Sequence, residues 1–137
     1  MTVTIWHNPR CGTSRQVLEA LRAAGIAPQV VEYLNTPPDA AQIRAVLARM
    51  GQPARALLRA KEPLAAELGL TRLEPAKLEP AKLEPTAPDA DADRLIAAMA
   101  EHPILIERPV VFSESRAMLC RPAERVVDFL SGLPAID

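Results

Sequence analysis

The sequence predicts an α/β fold on a mixed four-stranded sheet, in the order β-α-β, helical insertion, β-β-α. Three observations carry the prediction. Two short apolar runs, residues 3–6 and 28–34, flank a stretch whose apolar residues fall at helical spacing. The middle of the chain repeats that helical spacing between glycine and proline stops. Two further short runs, residues 108–112 and 117–120, are separated by a charged turn of hairpin length.

The first strand ends at Asn8-Pro9, because the residue before a proline is pushed out of helical geometry. Val17, Leu18 and Leu21 then share one face of a helix that Gly25 stops in a left-handed conformation. Thr13 and Gln16 have capping-box spacing, which puts the helix start just beyond Cys11. The second strand is joined to the first by this helix, so a parallel pair with a right-handed crossover is expected. Asn35-Thr36-Pro37-Pro38-Asp39 breaks the chain and caps a helix with Ile43, Val46, Leu47 and Met50 on its face, ended by Gly51. Short helical turns follow at residues 55–59 and 63–68, the latter ended by Gly69.

Leu-Glu-Pro-Ala-Lys occurs from Leu73 and again from Leu78, and Leu83-Glu84-Pro85 begins a third copy. Proline at every fifth residue forbids a regular helix and suits an extended surface loop. Asp93 opens a further helix with Leu95, Ile96 and Met99 on its buried side, closing at His102-Pro103. After the hairpin, Arg121-Pro122 starts a last helix carrying Val126, Val127 and Leu130. The 137 residues are read as one domain, residues 1–137, with a helical insertion over about 36–102 and the repeat loop over about 71–90. The first strand and the hairpin in one mixed sheet make the thioredoxin-like arrangement. That fold sets a cis proline where an Xaa-Pro bond leads into its third strand, so Arg108-Pro109 is expected cis.

A net charge of −1 gives no bulk electrostatic reason for a nucleic-acid or membrane partner, and no run approaches the ~20 apolar residues of a membrane span. Two cysteines, Cys11 and Cys120, are too few for a disulfide framework. With no apolar stretch of signal-peptide length at the start, a reducing cytoplasm is the expected compartment.

Cys11 falls between a strand end and the first turn of a helix, where backbone N–H groups lack intrahelical partners and the helix end is positive. Arg10 and Arg15 flank it, and His7 shares the loop. Buried structural cysteines sit in apolar runs, whereas Gly12-Thr13-Ser14-Arg15 offers nothing to pack against. Cys11 is therefore read as a nucleophile with a lowered pKa. Cys120, beside Met118 and Leu119, is read as structural. Arg59, Arg108 and Arg121 sit at element ends, and with a thiol at a helix start they fit a pocket for a tetrahedral oxyanion.

Residues 7–15 (His-Asn-Pro-Arg-Cys-Gly-Thr-Ser-Arg), 33–38, Arg55-Ala56-Leu57-Leu58-Arg59, residues 102–109 and Cys120-Arg121-Pro122 closely resemble the glutaredoxin-dependent arsenate reductases. The resemblance covers most of the chain outside the repeat. It implies that Cys11 is the nucleophile and His7 the histidine that helps keep it ionised. It also implies that Arg59, Arg108 and Arg121 hold the oxyanion. The implied reaction is attack of Cys11 on arsenate, then glutathione as co-substrate and glutaredoxin as the partner that clears the mixed disulfide, with no metal and no bound cofactor. Cys11-Gly12-Thr13-Ser14 also looks like the site of monothiol glutaredoxins, a thiol-transferase alternative. A non-enzymatic regulator of similar fold is disfavoured because Ser14 stands where its second cysteine would be. A reductase relative acting on a different oxyanion is the third reading.

Overall fold

The computed structural model describes residues 2–70 and 90–131, so the five-residue repeat lies outside the described residues. Strand β1 (Thr4–His7) leads to helix α1 (Gly12–Ala23) and strand β2 (Gln29–Glu32). Helix α2 (Ala40–Met50), a 3-10 turn (Ala54–Leu57), α3 (Pro63–Glu67), α4 (Ala90–Glu101) and a second 3-10 turn (Pro103–Leu105) follow. Strands β3 (Val110–Phe112) and β4 (Ala117–Leu119) precede a third 3-10 turn (Ala123–Arg125) and α5 (Val126–Ser131).

The sheet order is β2-β1-β3-β4. β1 pairs with β2 in parallel, with Ile5 opposite Val30, and with β3 antiparallel, with Ile5 opposite Val111. β3 and β4 form the antiparallel hairpin. Four strands in this mixed order, with helices on both faces, make the thioredoxin-like fold.

Alternation along the strands divides the core into two layers, because successive strand residues face opposite sides. Ile5 and Val111 join Val17, Leu21, Val126 and Phe129 under α1 and α5. Trp6 and Val110 join Ile43, Val46, Met99 and Leu105 under the helical block. Trp6 and Phe112 meet edge to face, with ring centroids 5.4 Å apart, and Arg49 lies over the Phe112 ring.

Several local expectations change on contact with tertiary structure. Helix α4 starts at Ala90, three residues before the expected Asp93, whose carboxylate instead pairs with Arg44 at 2.8 Å. In the last helix Val127 is 62% exposed and Phe129 is fully buried, because Val126 and Phe129 share the inward face at i, i+3 spacing and Val127 lies off it. Arg108-Pro109 is cis, as expected from the fold; Arg121-Pro122 is cis as well, which no sequence argument had indicated. The Thr13–Gln16 capping box does not form: the helix begins at Gly12 with extended Cys11 as its N-cap and no side chain bonded there.

The box that does form is at α2. Asp39 Oδ1 accepts from the Gln42 N–H at 2.8 Å, and Gln42 Oε1 accepts from the Asp39 N–H at 2.9 Å. Asp39→Ala is expected to destabilise the protein by about 1 kcal/mol, read as a lower urea midpoint. An unchanged midpoint would show that α2 is held by its apolar face alone.

Candidate active site

Cys11 occupies the N-cap of α1 with φ −92° and ψ 120°, so its sulfur faces the free amides of the first helical turn. The preceding loop is closed by its own hydrogen bonds: Cys11 N–H donates to Asn8 O at 3.0 Å, and Arg10 N–H to Asn8 Oδ1 at 3.0 Å. The thiol is partly exposed and free. Burial works against its thiolate. The Ser14 backbone N–H, the charge of Arg108, the Thr13 N–H and a hydrogen bond from Arg108 outweigh that cost, and the thiol lies below its ordinary pKa.

The arginines arrive from segments far along the chain. Arg108 immediately precedes the cis proline at the start of β3, and its side chain is nine-tenths buried. Arg121 follows β4; its Nη1 lies 3.7 Å from Cys11 Sγ and 3.4 Å from the Arg108 carbonyl oxygen. Arg59 is set at the same end by an isolated antiparallel bridge between Leu58 and Ile106. Arg59 N–H donates to Leu105 O, and Glu107 N–H donates to Leu57 O, both at 2.7 Å. The structure thus brings Arg108 and Arg121 to the sulfur. Arg59 stands beside them, and its charge reaches the hydroxyl of Tyr33, on which Arg108 and Cys11 also act.

His7 ends β1 and is buried, with Nδ1 2.7 Å from Ser14 Oγ. Burial lowers its pKa, Glu32 opposes that, and Arg22 and Arg15 add to it, so the ring is neutral at neutral pH. A neutral ring offers Cys11 no positive charge; its contact is with Ser14, whose backbone N–H faces the sulfur. Ser14 Oγ also accepts from the Asn8 N–H at 3.0 Å, which leaves its hydroxyl hydrogen for a neutral His7 Nδ1. This fully buried serine locks the loop that carries the thiol.

Sequence reasoning missed Ser14, Tyr33 and Glu107 as members of the site. Tyr33 directly follows β2, beside the end of β1, so its buried ring carries the hydroxyl to the Asn8 side chain. Burial keeps that hydroxyl above its ordinary pKa, despite Arg108, Asn8 and Arg59. The available signal was a tyrosine at a strand end next to the cysteine-bearing loop. Glu107 Oε1 lies 3.4 Å from Arg108 Nη1 and its Oε2 lies 3.7 Å from Arg121 Nε. Its signal was its position next to Arg108 in the sequence. Cys120 is fully buried between the sheet and α5, and burial pushes its thiol up to about 12. Among the described residues, no group of three or more His, Cys, Asp or Glu is placed to hold a metal ion, and no helix is long and apolar enough to cross a membrane.

Fold and site together define a thioredoxin-like protein with a single activated thiol at the start of its first helix and arginines around it. A model described as the ArsC family matches residues 6–129. The chain belongs to the ArsC family. It is 46% identical over 130 residues to an arsenate reductase of Rhizobium meliloti, covering 95% of this chain and 82% of the relative. An arsenate reductase of Escherichia coli is 44% identical over 128 residues, covering 93% and 80%. The solved structure of an arsenate reductase from Vibrio cholerae superposes with a TM-score of 0.75 at 40% identity, over 93% of this chain and 97% of that one.

Removing the Arg108 charge favours the neutral thiol, so Arg108→Ala is expected to raise the pH at which iodoacetamide alkylates Cys11. Alkylation at neutral pH slows accordingly, and Arg108→Lys, which keeps the charge, moves the profile less. An unmoved profile in Arg108→Ala would leave the helix amides and Arg121 to support the thiolate.

Proposed function

We propose that the protein is an arsenate reductase that uses glutathione and glutaredoxin as reductants. The observation that carries this reading is the seating of the Cys11 sulfur between the free amides of α1 and the guanidinium groups of Arg108 and Arg121. Such a site favours a thiolate and, beside it, a tetrahedral anion that would otherwise repel it. The names of the relatives at 46% and 44% identity support the choice of arsenate.

In this mechanism arsenate lies against Arg108 and Arg121, with Arg59 completing the set. Cys11 Sγ attacks arsenic, and one oxygen leaves as water after protonation, giving a sulfur–arsenic(V) bond. Glutathione adds its sulfur to the same arsenic with loss of a second water. A glutaredoxin thiolate then takes up the glutathionyl sulfur as a mixed disulfide. The electron pair of the broken sulfur–arsenic bond passes to arsenic, which becomes arsenic(III). Water releases arsenite and returns Cys11 as a thiol. His7 and Ser14 act as positioning residues for the loop, and the chemistry uses glutathione as co-substrate with no bound cofactor.

An assay following NADPH consumption with arsenate, glutathione and glutaredoxin tests the proposal. Wild type is expected to turn over, and Cys11→Ser to be inactive; equal turnover in the two would remove the mechanism. Arg121→Ala is expected to lose about 10²–10³ in kcat, the usual cost of removing one donor to a developing negative charge.

A further inference from the structure

The arginine pair holds a carboxylate that the proposed chemistry does not use. Glu107 straddles Arg108 and Arg121, 3.4 Å from Arg108 Nη1 and 3.7 Å from Arg121 Nε, and its side chain is only partly exposed. Both separations are long for charge-assisted hydrogen bonds, which close to about 2.7–2.9 Å. The carboxylate therefore lies across the guanidinium groups without saturating them. Arg108 Nε, although buried, has no hydrogen-bond partner among the described residues, and Arg121 Nη1 is divided between the Cys11 sulfur and a backbone oxygen. The site is rich in donors, yet one of its walls is itself an anion. Glu62 similarly holds Arg59 at 3.5 Å, so carboxylates oppose all three guanidinium groups.

An acceptor in an oxyanion pocket has a specific chemical consequence. Arsenate and phosphate retain an acidic O–H near neutral pH and can donate it to a carboxylate. Sulfate is fully ionised, has no hydrogen to donate, and meets the same carboxylate as a repulsive, unpaired contact. A site that pairs with a substrate O–H rejects the analogue lacking it far better than shape alone can.

We propose that Glu107 is a specificity-determining residue of the oxyanion pocket, accepting the O–H of a protonated tetrahedral anion and excluding sulfate. The inference rests on the reading of this pocket as the arsenate site. Glu107→Gln keeps the size of the side chain and leaves the Glu107 N–H bond to Leu57 O in place. It turns one acceptor oxygen into a donor, which sulfate can use.

The test is calorimetric binding of sodium arsenate, inorganic phosphate and sodium sulfate to wild type and Glu107→Gln, with no reductant present. Wild type is expected to bind arsenate and phosphate well above sulfate. In Glu107→Gln sulfate should bind about tenfold or more tighter, with arsenate changed much less, so that the preference collapses. A general structural defect would weaken all three anions together and would overturn the proposal, as would an unchanged arsenate-to-sulfate ratio or no measurable binding of any of them. Arsenate binding with the predicted ratios but without reduction in the coupled assay would instead count against the proposed function alone.

Discussion

Cys11 Sγ ionises more readily than an ordinary thiol because the amides of Thr13 and Ser14 and the guanidinium of Arg108 outweigh the cost of partly burying it. Each of those contributions depends on a different part of the chain. The amides are available because Cys11 takes the extended N-cap conformation and no side chain competes for the helix end. A side-chain cap, common at this position, would have satisfied the same N–H groups and left the sulfur without them. Arg108 is available because β3 lies next to β1, so the residues just before β3 reach the loop that leaves β1.

The sheet has the same role for the remaining groups. The Leu58–Ile106 bridge ties the start of the helical block to the segment that enters β3, and thereby sets Arg59 and Glu107 on either side of one short ladder. β4 returns antiparallel and delivers Arg121 to the same end. The packing behind these segments is apolar and fully buried: Leu57, Leu105, Ile106 and Val110 leave little room for the arginines to drift. Stability of the helical layer and geometry of the anion pocket are thus two consequences of one packing arrangement. Linkage adds a further coupling. A thiol whose folded pKa is depressed stabilises the folded protein above its unfolded pKa, and that contribution is lost as pH falls through the folded value.

Local signals in the chain were sufficient where local physics decides. Short apolar runs and helical spacing located β1, β2, the hairpin, α1 and α2, and the Asp39 cap was recognisable from its side-chain chemistry. The place of Cys11 at a strand-to-helix junction was legible for the same reason. The fold was legible only through element order joined to a family resemblance. What escaped was set by contacts between distant residues. Arg121 and Cys11 are 110 positions apart; their sharing a pocket was expected from the element ends and the family resemblance, while the direct approach of Nη1 to the sulfur needed the folded hairpin. The neutral state of His7 follows from burial, which a loop position does not announce. Thr13 and Gln16 had the right spacing for a cap but lay within the helix, Thr13 two residues beyond the Cys11 N-cap. Glu107 was given no role from the sequence, and its reach to Arg121 needed the hairpin to fold.

The charge on one sulfur decides the account, and its ionisation can be followed directly. The thiolate absorbance of Cys11, taken as the difference between wild type and Cys11→Ala, should be titrated in folded and in urea-unfolded protein. Ionisation in the folded protein at a lower pH than in the unfolded chain is the predicted result. Ionisation at the same pH or higher would contradict it, because the amides and Arg108 would then not be stabilising the anion on which the site is built.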